Sequence, residues 1–170
     1  PFVGGQAPEV YSYGHRNVQG MTVNPSNGSV WTHEHGPKGG DEINILSKGD
    51  NYGWPTITYG VNYNGSIITD KTEMPGMRQP LTYWDPSIAP SGMDFYTGDV
   101  FPEWKGNLFV GSLKFRYLNR IVLDDDKVIS QEPLLKELNE RIRDVKQAPD
   151  GSLYVLTDST NGKVLRLTKK

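Results

Sequence analysis

The sequence contains no cysteine. That excludes a disulfide framework and any thiolate metal site, and it suits an oxidising or a reducing compartment equally. Long apolar runs are missing as well: no stretch approaches the roughly 18 residues needed to cross a membrane as a helix. No run of Lys or Arg is long enough to follow a phosphate backbone, and a formal net charge of -2 gives no reason to expect nucleic acid. Helical signal is scarce. Glu132 to Asn139 alone has helical character, and with Pro133 near its start it reads as a short turn. Pro1-Phe2-Val3-Gly4-Gly5 lacks an initiator Met and reads as the interior of a longer chain.

What is abundant is turn chemistry. Nineteen Gly, 12 Pro and 9 Tyr in a chain of 170 residues lean towards many short strands, hence an all-β fold, and the length allows a sizeable core within a single domain over residues 1–170. One order of elements recurs three times. Gly20-Met21-Thr22-Val23, a turn from Asn24 to Gly28, and Ser29-Val30-Trp31-Thr32 form the first copy. Gly92 to Tyr96, a turn through Pro102-Glu103-Trp104-Lys105-Gly106, Asn107 to Gly111 and an outer strand Leu118 to Leu123 form the second. Asp144 to Gln147, Ala148-Pro149-Asp150-Gly151, Ser152 to Thr157 and Lys163 to Leu167 form the third. Repeated antiparallel units with uneven loops are how propeller blades read in sequence, and three cannot close a ring that typically needs four to eight. The chain therefore reads as about half of a larger propeller; a small open sandwich using the same turns is the alternative. Between Tyr59 and Tyr83 runs a long stretch without a clear period, and loops of that length in a compact domain are often functional.

Candidate chemistry gathers at matching points. The span from His33 to Pro55 holds two of the three histidines, five glycines and two prolines around a short apolar strand, Ile43 to Leu46. Outward carbonyls beside carboxylates suit a hard cation such as calcium, although a polar connection between strands has the same composition. Arg16 and Asn17 precede the first repeat: a guanidinium fork suits carboxylates, and an amide suits carbonyls of a flat ligand or the cap of a strand end. Arg141 and Arg143 share one face of a strand by alternation, and repel each other unless an anion lies between them; Glu140 or an external acid could neutralise them. Lys114 stands at the corresponding point of the middle repeat. Repeat geometry would collect these cations around one axis, as a pocket for a polyanion.

Tyr13-Gly14-His15-Arg16-Asn17-Val18-Gln19-Gly20, His35-Gly36-Pro37, Asp41-Glu42-Ile43-Asn44, Asn51-Tyr52-Gly53-Trp54-Pro55, Ile88-Ala89-Pro90-Ser91-Gly92 and Arg141-Ile142-Arg143-Asp144-Val145 together resemble the soluble PQQ-dependent sugar dehydrogenases. Among them the chain is most similar to the periplasmic aldose sugar dehydrogenases of the glucose/sorbosone dehydrogenase group. The resemblance runs in order over nearly the whole chain and implies a six-bladed β-propeller, of which this chain is the carboxyl-terminal half with roughly three blades.

The resemblance also implies roles. Arg16 would face the reactive carbonyl of PQQ and stabilise charge developing there, with Asn17 beside it. Lys114, Arg141 and Arg143 would bind the three carboxylates of the cofactor. Gly36 and Pro37 would offer backbone oxygens to a calcium ion, with His35 adjacent. Glu42 and Tyr52 match backbone ligands of a second, structural calcium, with Asp41 as a carboxylate ligand, and Tyr63 would wall the cofactor. Two departures stand out: His35 occupies a position that is often Gln in the family, and none of His15, His33 and His35 matches the catalytic histidine, which belongs to the amino-terminal half. The implied activity is oxidation of an aldose at its C1 hydroxyl to the lactone, by hydride transfer to calcium-bound PQQ. Its partners would be the sugar, an external electron acceptor and the amino-terminal half of the propeller, in the periplasm or outside the cell. A calcium-dependent propeller lactonase and a non-catalytic propeller that binds sugar or protein are the alternatives.

Overall fold

In the computed structural model, which describes residues 7–169, the strands form three antiparallel meanders. Pro1 to Gly5 lie outside the described residues. The first sheet runs β1 (Val18–Val23), β2 (Val30–Glu34), β3 (Asp41–Leu46) and β4 (Thr82–Trp84). The second runs β5 (Pro90–Phe95), β6 (Leu108–Ser112), β7 (Tyr117–Asp124) and β8 (Lys127–Leu134). The third has three strands among the described residues: β9 (Ile142–Gln147), β10 (Leu153–Thr157) and β11 (Val164–Leu167). Each sequence repeat is thus one sheet, and the outer strands β4 and β8 are additions that the repeats did not reveal. The stretch from Glu132 to Asn139 ends β8 and closes in a single 3-10 turn, Lys136–Leu138, in line with the turn expected there. No helix of the described residues is long and apolar enough to cross a membrane.

Strand alternation explains the stacking. Every residue of β6 is buried, so its successive side chains serve opposite faces of the middle sheet. Leu108 and Val110 join Trp31 and Ile43 of the first sheet and Ile121 in one core. Phe109, between them, joins Leu118, Ile142, Val145, Leu153 and Val155 in a second core against the third sheet. The middle sheet is therefore sandwiched face to face, as a propeller blade is.

Strands β2, β5 and β9 are tied laterally. His33 Nε2 donates to Ser91 O, and Ser91 Oγ donates to Ile142 O at 2.7 Å. Gly92 is required at this seam, because a Cβ there would lie 2.7 Å from the Asp144 Cα and 1.7 Å from its Oδ1. The long stretch after Tyr59 forms no strand before Thr82. It is held by the stacked rings of Tyr59 and Tyr83, 3.8 Å apart, and by Tyr59 Oη donating to Gln79 Oε1 at 2.6 Å.

Candidate functional site

Register places the candidate residues at equivalent ends of the three sheets. Val18 pairs with Glu34, Pro90 with Ser112, and Ile142 with Thr157. Just beyond these pairs lie Arg16 and Asn17 with His35 to Pro37, then Ala89 with Lys114, then Arg141 with Asp158. One end of each sheet thus carries these candidate residues.

Arg16 crosses this end of the first sheet. Its Nη1 donates to the carbonyl oxygens of His35 at 2.8 Å and Gly36 at 3.0 Å, and its guanidinium lies 5.3 Å from the centre of the Trp54 ring. Its Nε is buried without a hydrogen-bond partner. Asn17 is exposed and its Oδ1 accepts from Gln19 Nε2 at 2.7 Å. His35 Nε2 donates to Pro90 O at 2.6 Å, which fixes that nitrogen as the protonated one.

The turn after β2 is shaped by Asp41. Its Oδ1 accepts from Gly36 N at 2.9 Å and its Oδ2 from Ala89 N at 2.8 Å, so one buried carboxylate joins the first two sheets. Gly36 has no room for a side chain, since a Cβ would meet Gly39 O at 2.1 Å. Above this turn opens a cleft of about 410 Å³, whose lining includes His35, Gly36, Pro37, Asp41, Tyr63 and Lys114. Six of the predicted residues therefore share one cavity. Lys114 is exposed and lies 5.1 Å from the Phe115 ring, with no ion pair among the described residues.

A second, smaller cavity of about 20 Å³ touches Arg16, Glu34, Gly36, Glu42, Tyr52 and Trp54. That is room for about one water-sized occupant. Two acids meet here. Burial alone would raise the Glu34 carboxyl, but hydrogen bonds from His15 and from the Arg16 and Asn17 amides outweigh it and hold it below the usual range. Burial pushes Glu42 up to about 7, against the hydrogen bond from Asn44 and with the help of the Glu34 charge. Tyr52 Oη donates to Ile45 O at 2.7 Å and accepts from Ser47 N at 2.9 Å. Among the described residues no group of three or more His, Asp or Glu side chains is placed to hold a metal.

Arg141 and Arg143 do share one exposed face, and the acid between them is Asp158: its Oδ2 accepts from Arg141 Nη2 at 2.7 Å and Arg143 Nη2 at 2.8 Å. Glu140, the neighbour considered for that duty, pairs with Lys163 instead. Arg143 lines a separate depression of about 300 Å³ with Gln19, Ser91, Gly92, Asp144 and Leu156. Lys114 and Arg143 therefore stand on different cavities of one end.

Sequence reasoning passed over Glu34 and Asp158. Each carries a readable signal: both close or follow the second strand of their repeat, the positions matched by Ser112 and Leu113 in the middle one.

The family described as Glucose / Sorbosone dehydrogenase matches residues 1–166. The chain is 47% identical over 174 residues to aldose sugar dehydrogenase YliI of Escherichia coli strain K12, covering 100% of this chain and 47% of that protein. A crystal structure of a glucose dehydrogenase, 50% identical, superposes with a TM-score of 0.94 over 98% of this chain and 49% of its own. The PQQ-bound aldose sugar dehydrogenase of Streptomyces coelicolor, 28% identical, gives a TM-score of 0.66 over 94% of this chain and 46% of its own. The chain spans about half the length of the relatives it matches.

Proposed function

The chain belongs to the glucose/sorbosone dehydrogenase family, and from that premise we propose that it supplies the cofactor-facing half of a PQQ- and calcium-dependent aldose dehydrogenase. The single observation that carries the reading is the shared sheet end, where Lys114 lines the 410 Å³ cleft with no ion pair among the described residues and Arg141 and Arg143 divide one carboxylate between them. Among the described residues these three cations have one ion-pair partner, Asp158, so N–H donors remain for the carboxylates of a tricarboxylate.

The residues fit the cofactor on their own chemistry. Lys114, Arg141 and Arg143 would hold the carboxylates of PQQ, Tyr63 and His35 would wall it, and Arg16 and Asn17 would meet its polar edge. Arg16 keeps a buried donor without a partner, Nε, in a site already desolvated by Trp54. Calcium would take the carbonyl oxygens of Gly36 and Pro37 on the same cleft, and a second ion those of Glu42 and Tyr52. Asp41 supports the first of these through the Gly36 amide. Bound PQQ supplies the hydride-accepting chemistry and its calcium the Lewis acidity.

The chain's own part is orientation and charge. Arg16 offers fixed N–H donors where negative charge develops, in a partly buried setting where each donor is worth more than in water. His15, His33 and His35 are each engaged through a ring nitrogen by Ser12 and Glu34, by Ser91 O and by Pro90 O respectively. In this reading the proton acceptor comes from the other half of the propeller, since none of the three matches the family's catalytic histidine. The substrate would be an aldose oxidised at C1 to the lactone, with electrons passed to an external acceptor, and the setting periplasmic or secreted.

The test is reduction of an artificial dye by full-length protein with D-glucose. Activity should appear only after PQQ and calcium are both added. Activity that is present without PQQ and unchanged by it would refute the reading, and lactone hydrolysis without cofactor would favour a lactonase instead.

A further inference from the structure

Glu34 is approached by four donors at once. Its Oε2 accepts from Arg16 N at 2.5 Å and Asn17 N at 3.2 Å. Its Oε1 accepts from Asn44 Nδ2 at 3.0 Å and from His15 Nδ1 at 3.1 Å. With Nδ1 carrying the proton, His15 Nε2 is the acceptor for Ser12 Oγ at 2.9 Å, and the ring stacks on Tyr52 at 4.6 Å. Glu34 is buried, 3% exposed. Only an acceptor-only group can satisfy four inward donors, and among side chains that is an ionised carboxylate. Two consecutive backbone N–H groups aimed at one oxygen make a small anion-binding turn.

Strand pairing leaves this segment unsupported. Arg16 and Asn17 precede Val18, the first paired residue of β1, and the register itself breaks between Val18 and Gly20. The backbone there is fixed from across the sheet, by Glu34 on the two amides and by His35 N donating to Asn17 O at 3.0 Å. The far end of Arg16 is held by the carbonyls of His35 and Gly36, which follow Glu34 directly. One short run of chain, 34–36, thus grips Arg16 at both ends.

We propose that Glu34 is the positioning residue for Arg16: its carboxylate locks the Arg16 and Asn17 amides and so aims the guanidinium across the Gly36 carbonyl. This rests on the reading of Arg16 given under the proposed function. Glutamine at this position would turn an NH₂ towards two of the four donors, which releases the turn while keeping the volume.

The experiment uses full-length protein and has two arms. In unmutated protein without cofactor, amide hydrogen exchange should show Arg16 and Asn17 protected although they lie outside the strand ladder; fast exchange at both would overturn the proposal even if no variant folds. In Glu34→Gln those two amides should exchange at least about tenfold faster, with Leu108 to Ser112 of β6 unchanged. The second arm measures kcat with PQQ, calcium, D-glucose and dye. Glu34→Gln should lower kcat by about 10- to 100-fold through misplacement, while Arg16→Ala and the double variant Arg16→Ala/Glu34→Gln should agree within about twofold. Losses that multiply in the double variant would show a purely structural Glu34 and overturn the proposal. Should unmutated protein neither bind PQQ nor reduce dye, the enzyme reading falls, and the exchange arm still decides whether Glu34 fixes the Arg16 backbone.

Discussion

Arg141 grips Asp158 with two prongs, Nε at 2.9 Å and Nη2 at 2.7 Å from the same Oδ2. Arg143 joins at that oxygen, and the hydrogen bond from Arg141 is the main reason the Asp158 carboxyl lies below its usual range. An incoming anionic ligand must compete with Asp158 for both guanidinium groups. Asp158→Asn should therefore tighten PQQ binding and steepen its salt dependence, with little change in thermal midpoint because the cluster is exposed. Calorimetric titration at two salt concentrations checks this. Weaker binding would mean that Asp158 orients the arginines for the ligand.

His33 predicts a pH dependence of stability. Burial lowers its pKa from 6.5 to about 4, so the folded protein holds the ring neutral while the unfolded chain takes up a proton first. Stability from this group is fully present above 6.5 and declines as pH falls towards 4, by about 3 kcal/mol. His33→Gln keeps a donor near Ser91 O and removes the titration. Urea unfolding at pH 7 and pH 4.5 should show a smaller loss on acidification in the variant than in the parent; equal losses would contradict the assignment.

Gly92→Ala should loosen the seam between the second and third sheets. The added methyl meets the backbone of Asp144 at 2.7 Å, so β5 and β9 have to separate. Overpacking of this kind costs about 1–3 kcal/mol or more. Thermal unfolding reads the loss, and an unchanged midpoint would mean the strands can part freely.

Calcium should stabilise the protein. A ligand at 100-fold above its Kd adds about 2.7 kcal/mol to the folded state, so chelation should lower the thermal midpoint and calcium should restore it. Magnesium should restore it poorly, because carbonyl-rich flexible sites suit the larger ion. No response to chelation would remove calcium from the account.

Eight of the strands were legible in sequence within a few residues, because each alternates or runs apolar between Gly or Pro turns; β3 was legible in its apolar core, Ile43 to Leu46. The outer strands were not. β8 buries none of its residues and carries Pro133, so it shows no apolar period. β4 has three residues and follows a long irregular stretch. The cationic sheet end was legible because Arg16, Lys114 and Arg141 sit at matching points of the repeats. What composition could not show is which charges are already spent: Asp158 on the arginines, Asp41 on two backbone amides, Glu34 on four donors. Those pairings depend on register between strands distant in sequence.

Whether this sheet end is a cofactor site is decided by calorimetric titration of full-length protein with PQQ in the presence of calcium. Binding should be saturable and weaken by about tenfold or more in both Lys114→Ala and Arg143→Ala, since each removes a charged hydrogen-bonding partner. Absence of binding, or binding unchanged in both variants, would contradict a cofactor site there.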